Sequence, residues 1–143
     1  MSTTERARQL RVIAEILLVH IPGLLKEDQP LAHDLLAVAG TAISNIYEDV
    51  EQSAKAWDKR AYHVKADNLR REWDWTLGAA NYATGLALNS DPLTTTSLAK
   101  LRLLIRPNLE KPARRQIKSP QNFRGAAQAV RVQLAQKRRP IRE

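Results

Sequence analysis

The chain contains 143 residues, 43% of them hydrophobic, and has no cysteine. This length suits one domain with one core, and the missing cysteine excludes disulfide scaffolds, thiolate metal sites and cysteine nucleophiles. The formal charge of +8 favours a polyanionic partner such as nucleic acid or an acidic membrane surface.

The N-terminal third of the sequence predicts two helices. Ser2–Glu5 has the form of a capping box, and apolar residues up to Ile21 lie on more than one helical face, which predicts burial from more than one side. Pro22-Gly23 should break or kink this first helix. The run 13–25 is too short and too polar to span a bilayer, so we expect a cytoplasmic protein with no membrane partner. Pro30 should open the second helix, whose apolar residues recur at three- and four-residue steps up to Val50.

A third helix should begin near Asp58 as its N-cap and end at Asn89–Pro92. Whether it is continuous with the second helix stays open. A fourth helix should carry Leu98, Leu101, Leu104, Ile105 and Leu109 on its core face, with Pro107 near its end.

The C-terminal quarter follows a linker marked by Pro112 and Ser119-Pro120. Residues 120–138 can form a fifth, surface helix capped by Ser119, or a helix that forms only on a partner. No strand, hairpin or repeat pattern is present. The prediction is therefore an all-α protein: an antiparallel four-helix bundle over residues 1–110 and a basic C-terminal extension over residues 111–143 that can form the fifth helix.

The positive charge is concentrated in that extension. Residues 1–110 have a net charge of −1, whereas residues 111–143 have a net charge of +9. This asymmetry favours an arm that binds nucleic acid or an acidic protein surface; the alternative is a solubilising or disordered tail. The candidate phosphate-binding residues of the extension are Lys111, Arg114, Arg115, Lys118, Arg124, Arg131, Lys137, Arg138 and Arg139.

A second basic cluster lies in the predicted third helix. Lys55, Lys59, His63 and Arg70 fall near one face, with Arg71 beside them, and such a stripe can hold phosphates. The alternative, to which we give equal weight, is that these cations are ordinary surface residues paired with nearby carboxylates. The same segment holds several aromatic residues. Of these, Trp73 should be packed in the core, whereas Trp57 and Trp75 are the candidates for a protein interface.

No motif indicates catalysis. The three histidines show no metal-ligand spacing, and no phosphate-binding loop or nucleophile elbow is present. His63 and Asp67 are interpreted as a surface pair on one helix. We therefore expect no enzyme, no catalytic residue, no metal and no cofactor.

Residues 57–73, with the helix over residues 32–50, resemble the accessory variability determinant of diversity-generating retroelements. The similarity lies in helix order, a second helix rich in small residues, and an Ala-Asp then Leu-x-x-x-Trp pattern at Ala66–Trp73. The resemblance implies a non-catalytic homopentamer with a basic surface that binds a reverse transcriptase and its template RNA and supports mutagenic cDNA synthesis. By position, Lys55, Lys59, Arg70 and Arg71 would form that surface. The long extension departs from the family.

Two other functions stay open. The chain could be a small helical subunit of a CRISPR effector complex that contacts guide RNA or the DNA backbone, or a protein-only adaptor whose basic tail docks on an acidic partner. Salt-dependent RNA binding would separate the retroelement accessory protein and the CRISPR subunit from the adaptor. A pentamer would favour the retroelement accessory protein over the CRISPR subunit.

Overall fold

The computed structural model describes residues 1–138, and every regular element among them is helical. This confirms the all-α prediction. The elements are α1 (Thr3–Glu15), a π-helical turn (Ile16–His20), α2 (Ile21–Leu24), α3 (Gln29–Lys59), α4 (His63–Glu72), α5 (Thr76–Leu88), α6 (Thr95–Leu104), a 3₁₀ turn (Pro120–Phe123) and α7 (Ala126–Lys137).

The central element is α3, a helix of 31 residues. Its first turn holds Pro30, as predicted, and the Asp28 carboxylate caps it by accepting a hydrogen bond from the Leu31 N–H at 3.1 Å. Apolar side chains from Leu31 to Ala54 are buried along its length. Helices α1, α2, α4, α5 and α7 all pack against it, so α3 is the scaffold on which the other elements are placed.

The closest packing joins α3 to α5. A Cβ atom added at Gly40 would lie 2.6 Å from Oγ1 of Thr84 and 3.5 Å from Cβ of Ala83, so a side chain does not fit between the two backbones. The facing residues of α5 are also small, and Ala79, Ala83 and Ala87 are buried. Small residues therefore allow the two helices to approach each other closely.

The first helical segment continues past Pro22-Gly23, where the sequence predicts a break or a kink. Ser2 caps α1 by accepting a hydrogen bond from the Glu5 N–H at 3.1 Å. The Glu5 carboxylate, however, binds Arg8 instead of completing a capping box, and that contact lowers the pKa of Glu5 to about 2. The chain then passes through the π-helical turn, in which the Ile21 N–H donates to the carbonyl oxygen of Ile16, and stays helical to Leu24. This wider turn comes directly before Pro22, which has no N–H to donate to the preceding turn.

The predicted third helix is two helices, and its predicted N-cap is wrong. Asp58 lies inside α3, which ends at Lys59, and the chain reverses direction over residues 60–62. Ala61 has φ of 62° at this reversal, a left-handed conformation that a non-glycine residue adopts at a cost of about 1 kcal/mol. Helix α4 follows, and a turn at Trp73–Trp75 separates it from α5.

Helix α6 begins with a capping box. Oγ1 of Thr94 accepts from the Ser97 N–H at 3.1 Å, and Oγ of Ser97 accepts from the Thr94 N–H at 3.0 Å. Leu98 and Leu101 are buried as predicted, but Leu104 is 43% exposed, because α6 ends there and presents one side to solvent. None of the helices within residues 1–138 combines the length and the apolar character needed to cross a membrane.

Candidate nucleic-acid interface

The chain that follows α6 packs against the other helices. Residues 107–110 lie beside Leu10, Arg11 and Ala14 of α1, and Ile117 is 5% exposed. Helix α7 packs on α3 and α5, with Ala127 buried. The described part of the basic C-terminal extension, up to Arg138, therefore packs on the core through buried apolar residues.

Glu15 anchors this extension to α1. Its carboxylate is buried, and it accepts hydrogen bonds from the backbone N–H groups of Gln116 at 2.7 Å and Ile117 at 2.9 Å. Nε2 of His20, at the end of the π-helical turn, lies 3.0 Å from the same carboxylate. Burial by itself would raise the pKa of Glu15, but the hydrogen bonds from Gln116, His20 and Ile117 outweigh it, and the pKa is lowered.

Asp34 of α3 anchors the next part of the extension. Its carboxylate accepts from the N–H groups of Gly125 at 2.9 Å and Ala127 at 3.0 Å, and so caps the N-terminus of α7. Gly125 has φ of 89°, which turns the chain into the helix and which glycine adopts without strain. The predicted cap, Ser119, makes no such hydrogen bond, because α7 begins at Ala126 and a 3₁₀ turn lies between them.

Two of the predicted phosphate ligands hold α7 in place. Arg124 forms an ion pair with Asp28, which lowers the pKa of the Asp28 carboxyl and raises that of the guanidinium. Nη2 of Arg131 donates to the carbonyl oxygen of Leu88 at 3.1 Å, at the C-terminal end of α5. Both guanidinium groups are therefore engaged within the chain.

Four other predicted ligands lie on a stretch of chain that is held against α1 at two points. Residues 109–118, called here the basic segment, are held by Leu109 at one end and by the Glu15 hydrogen bonds near the other. Their cationic side chains are exposed, and no carboxylate within residues 1–138 pairs with them. These side chains are Lys111, Arg114, Arg115 and Lys118.

The remaining predicted ligands of the extension lie at its end. Lys137 and Arg138 are exposed at the C-terminus of α7, and Arg139 lies outside the described residues. A further cation, which is not among the predicted ligands, is Arg11 of α1; it is exposed and borders the same groove as Leu109 and Glu110. No signal in the sequence marks it, because its place beside the extension depends on the packing of residues 107–110 on α1.

At the α3–α4 reversal the predicted basic stripe is divided. Arg70 is the centre of an ion-pair network: its guanidinium lies 2.8 Å from Asp58, 3.6 Å from Asp67 and 3.9 Å from Glu51. Nδ1 of His63 lies 2.9 Å from Asp58, so His63 pairs with Asp58 and the predicted pair with Asp67 is wrong. The hydrogen bonds from His63 and Arg70 lower the pKa of Asp58.

Lys55, Lys59 and Arg71 are exposed around this network. The two aromatic candidates differ from each other. Trp57 is half-buried, with Nζ of Lys65 3.7 Å from the centre of its ring. Trp75 is 7% exposed and lies in the core, so its predicted place on a protein interface is wrong for the folded chain.

Comparison with known protein families, curated proteins and solved structures finds no match to this chain. Within residues 1–138, no three His, Asp or Glu side chains come close enough together to hold a metal ion.

Proposed function

We propose that this protein is a non-catalytic, RNA-binding accessory subunit of a cytoplasmic ribonucleoprotein, and that the basic segment makes its phosphate contacts. The observation that supports this proposal is the combination of exposure and anchoring at residues 109–118. Lys111, Arg114, Arg115 and Lys118 face solvent, while the backbone between them is tied to α1.

Anchoring matters because a fixed cation loses less conformational entropy when it binds a phosphate than one on a disordered tail. The Glu15 carboxylate, which could have opposed the cations, is buried and already accepts two backbone N–H groups. Glu110 is the single acidic residue of the basic segment. The segment therefore keeps a net positive charge where it meets solvent.

The resemblance to retroelement accessory proteins supplies the rest of the proposal. The protein would bind a reverse transcriptase and its template RNA as a homo-oligomer, a pentamer if the resemblance holds, with a four-helix bundle built around α3. The buried apolar faces of α3 and the small-residue contact with α5 are compatible with such a bundle.

The test measures RNA affinity against salt concentration. Phosphate contacts release counterions, and each one contributes about −0.7 to the slope of log affinity against log salt for a single strand. The double variant Arg114→Gln/Arg115→Gln should flatten that slope by about 1.4. Point variants are preferred to deletion of residues 111–143, because deletion would uncover the apolar surface that Ile117 and Ala127 bury.

The matched control is Lys26→Gln/Lys100→Gln, which removes two exposed cations outside the basic segment. It lowers the net charge equally, and its slope should stay near that of the wild type. Equal slopes for both double variants would contradict the proposal, since net charge would then explain the binding. Binding to an acidic protein, with no RNA bound at any salt concentration, would favour the adaptor function.

A further inference from the structure

The α3–α4 reversal presents an exposed aromatic ring among cations. Tyr62 is 54% exposed and Val64 is 76% exposed, although both are apolar or aromatic. The guanidinium of Arg60 lies 5.5 Å from the centre of the Tyr62 ring. A shallow groove of about 550 Å³ runs beside them, bordered by Tyr62, Val64, Lys65 and Asn68.

The electrostatic character of the surface around this reversal, called here the α3–α4 corner, follows from the Arg70 network. Arg70 is shared among Asp58, Asp67 and Glu51, so one guanidinium partly neutralises the nearby carboxylates. Further cations, all exposed, carry no ion pair within the described part of the chain. They are Lys55, Lys59, Arg60 and Lys65.

We propose that the α3–α4 corner is a second nucleic-acid site, in which an unpaired base stacks on Tyr62 while Lys59 and Arg60 contact the adjacent phosphates. The inference rests on the proposed RNA binding and adds to it the substrate class, a single strand with accessible bases. Exposed aromatic rings within a basic surface are the common means of holding single strands, because every base offers a π face.

The geometry favours a single strand over a duplex and over a protein. A duplex keeps its bases stacked on each other, so it offers phosphates but no free base to Tyr62. A protein anchor would ordinarily be an aromatic ring surrounded by uncharged residues, because charged residues are depleted at the centre of interfaces. Here cations flank the ring on both sides in the sequence, at Arg60 and Lys65.

The experiment compares Tyr62→Ala and Tyr62→Phe with the wild type, using a short single-stranded RNA that carries a fluorescent adenine analogue. Tyr62→Ala should lose affinity about fivefold or more and lose the quenching of the analogue, because stacking is removed. Tyr62→Phe should keep both properties. The salt slope of Tyr62→Ala should equal that of the wild type, since a stacked base releases no counterion.

The matched control is Leu103→Ala, which removes an apolar side chain that is 86% exposed on α6 and should leave affinity unchanged. Far-ultraviolet circular dichroism confirms that each variant is folded. If Tyr62→Ala binds and quenches like the wild type while Arg114→Gln/Arg115→Gln flattens the slope, the corner site is refuted and the proposed function stands. If the wild type binds neither single-stranded nor double-stranded RNA, both are refuted. Equal losses of RNA affinity in Tyr62→Ala and Leu103→Ala would also refute the corner site. So would a Tyr62→Ala variant that loses binding to a protein partner and keeps its RNA binding.

Discussion

The Glu15 anchor can be tested by Glu15→Gln, which removes the charge and one acceptor oxygen with little change in shape. The carboxylate receives two backbone N–H groups, and the N–H of Ile117 is buried. Glutamine offers one acceptor oxygen, so at least one donor would face the amide NH₂ and lose its hydrogen bond. An unsatisfied buried donor costs ~1–3 kcal/mol.

The expected loss of unfolding free energy is therefore about 2 kcal/mol at neutral pH, because relief from burying a charge offsets part of the lost hydrogen bonding. Urea unfolding followed by circular dichroism measures it. Tryptic cleavage gives a local readout, since Arg114, Arg115 and Lys118 should be cut faster once residues 116 and 117 are released from α1. Glu110→Gln is the control: it removes an exposed charge from the same segment and should change neither measurement.

The pH dependence provides a second check on the same variant. The pKa of Glu15 is lowered from its ordinary value of 4.5 in the folded protein. The carboxylate therefore contributes its full stabilisation above that ordinary value, and the contribution is lost as the pH falls through the folded-state pKa. The stability difference between wild type and Glu15→Gln should shrink in acid. A difference below about 0.5 kcal/mol at neutral pH, with unchanged cleavage, would refute the anchor.

Two further predictions concern helix packing and capping. Gly40→Ala should lower the unfolding free energy by ~1–3 kcal/mol, because its methyl group would meet Thr84 across the α3–α5 contact. Gly78→Ala is the control: nothing lies within 4 Å of the added methyl group, so this variant should raise the unfolding free energy by up to about 1 kcal/mol. Thermal unfolding that ranks the two variants the other way would contradict the close approach of α3 and α5. Asp34→Ala should lower the unfolding free energy by ~1 kcal/mol, because it removes the cap of α7, and should speed amide hydrogen exchange in that helix. Unchanged exchange at Ala127 and the residues after it would show that α7 needs no cap from α3.

Much of the helical pattern was readable from local signals. Pro30 marked the start of α3, and apolar steps along that helix marked its buried face. The division of the predicted third helix was not readable, because residues 73–75 contain no glycine or proline to mark a turn between α4 and α5. The turn between α3 and α4 was not readable either, because Ala61 adopts a left-handed conformation that is rare for alanine. Trp75 was placed at an interface because a continuous helix was predicted through it, whereas it lies in the turn before α5 and is buried.

The amino-acid sequence by itself determined that the chain is helical and that its positive charge is concentrated after residue 110, because periodicity and composition are local properties. It could not show which cations are engaged, since that depends on partners distant in the chain. Glu15 and Gln116 are 101 residues apart, and Asp34 and Gly125 are 91 residues apart. Tertiary packing brought these groups together, engaged Arg124 and Arg131 within the fold, and kept the cations of the basic segment exposed to solvent.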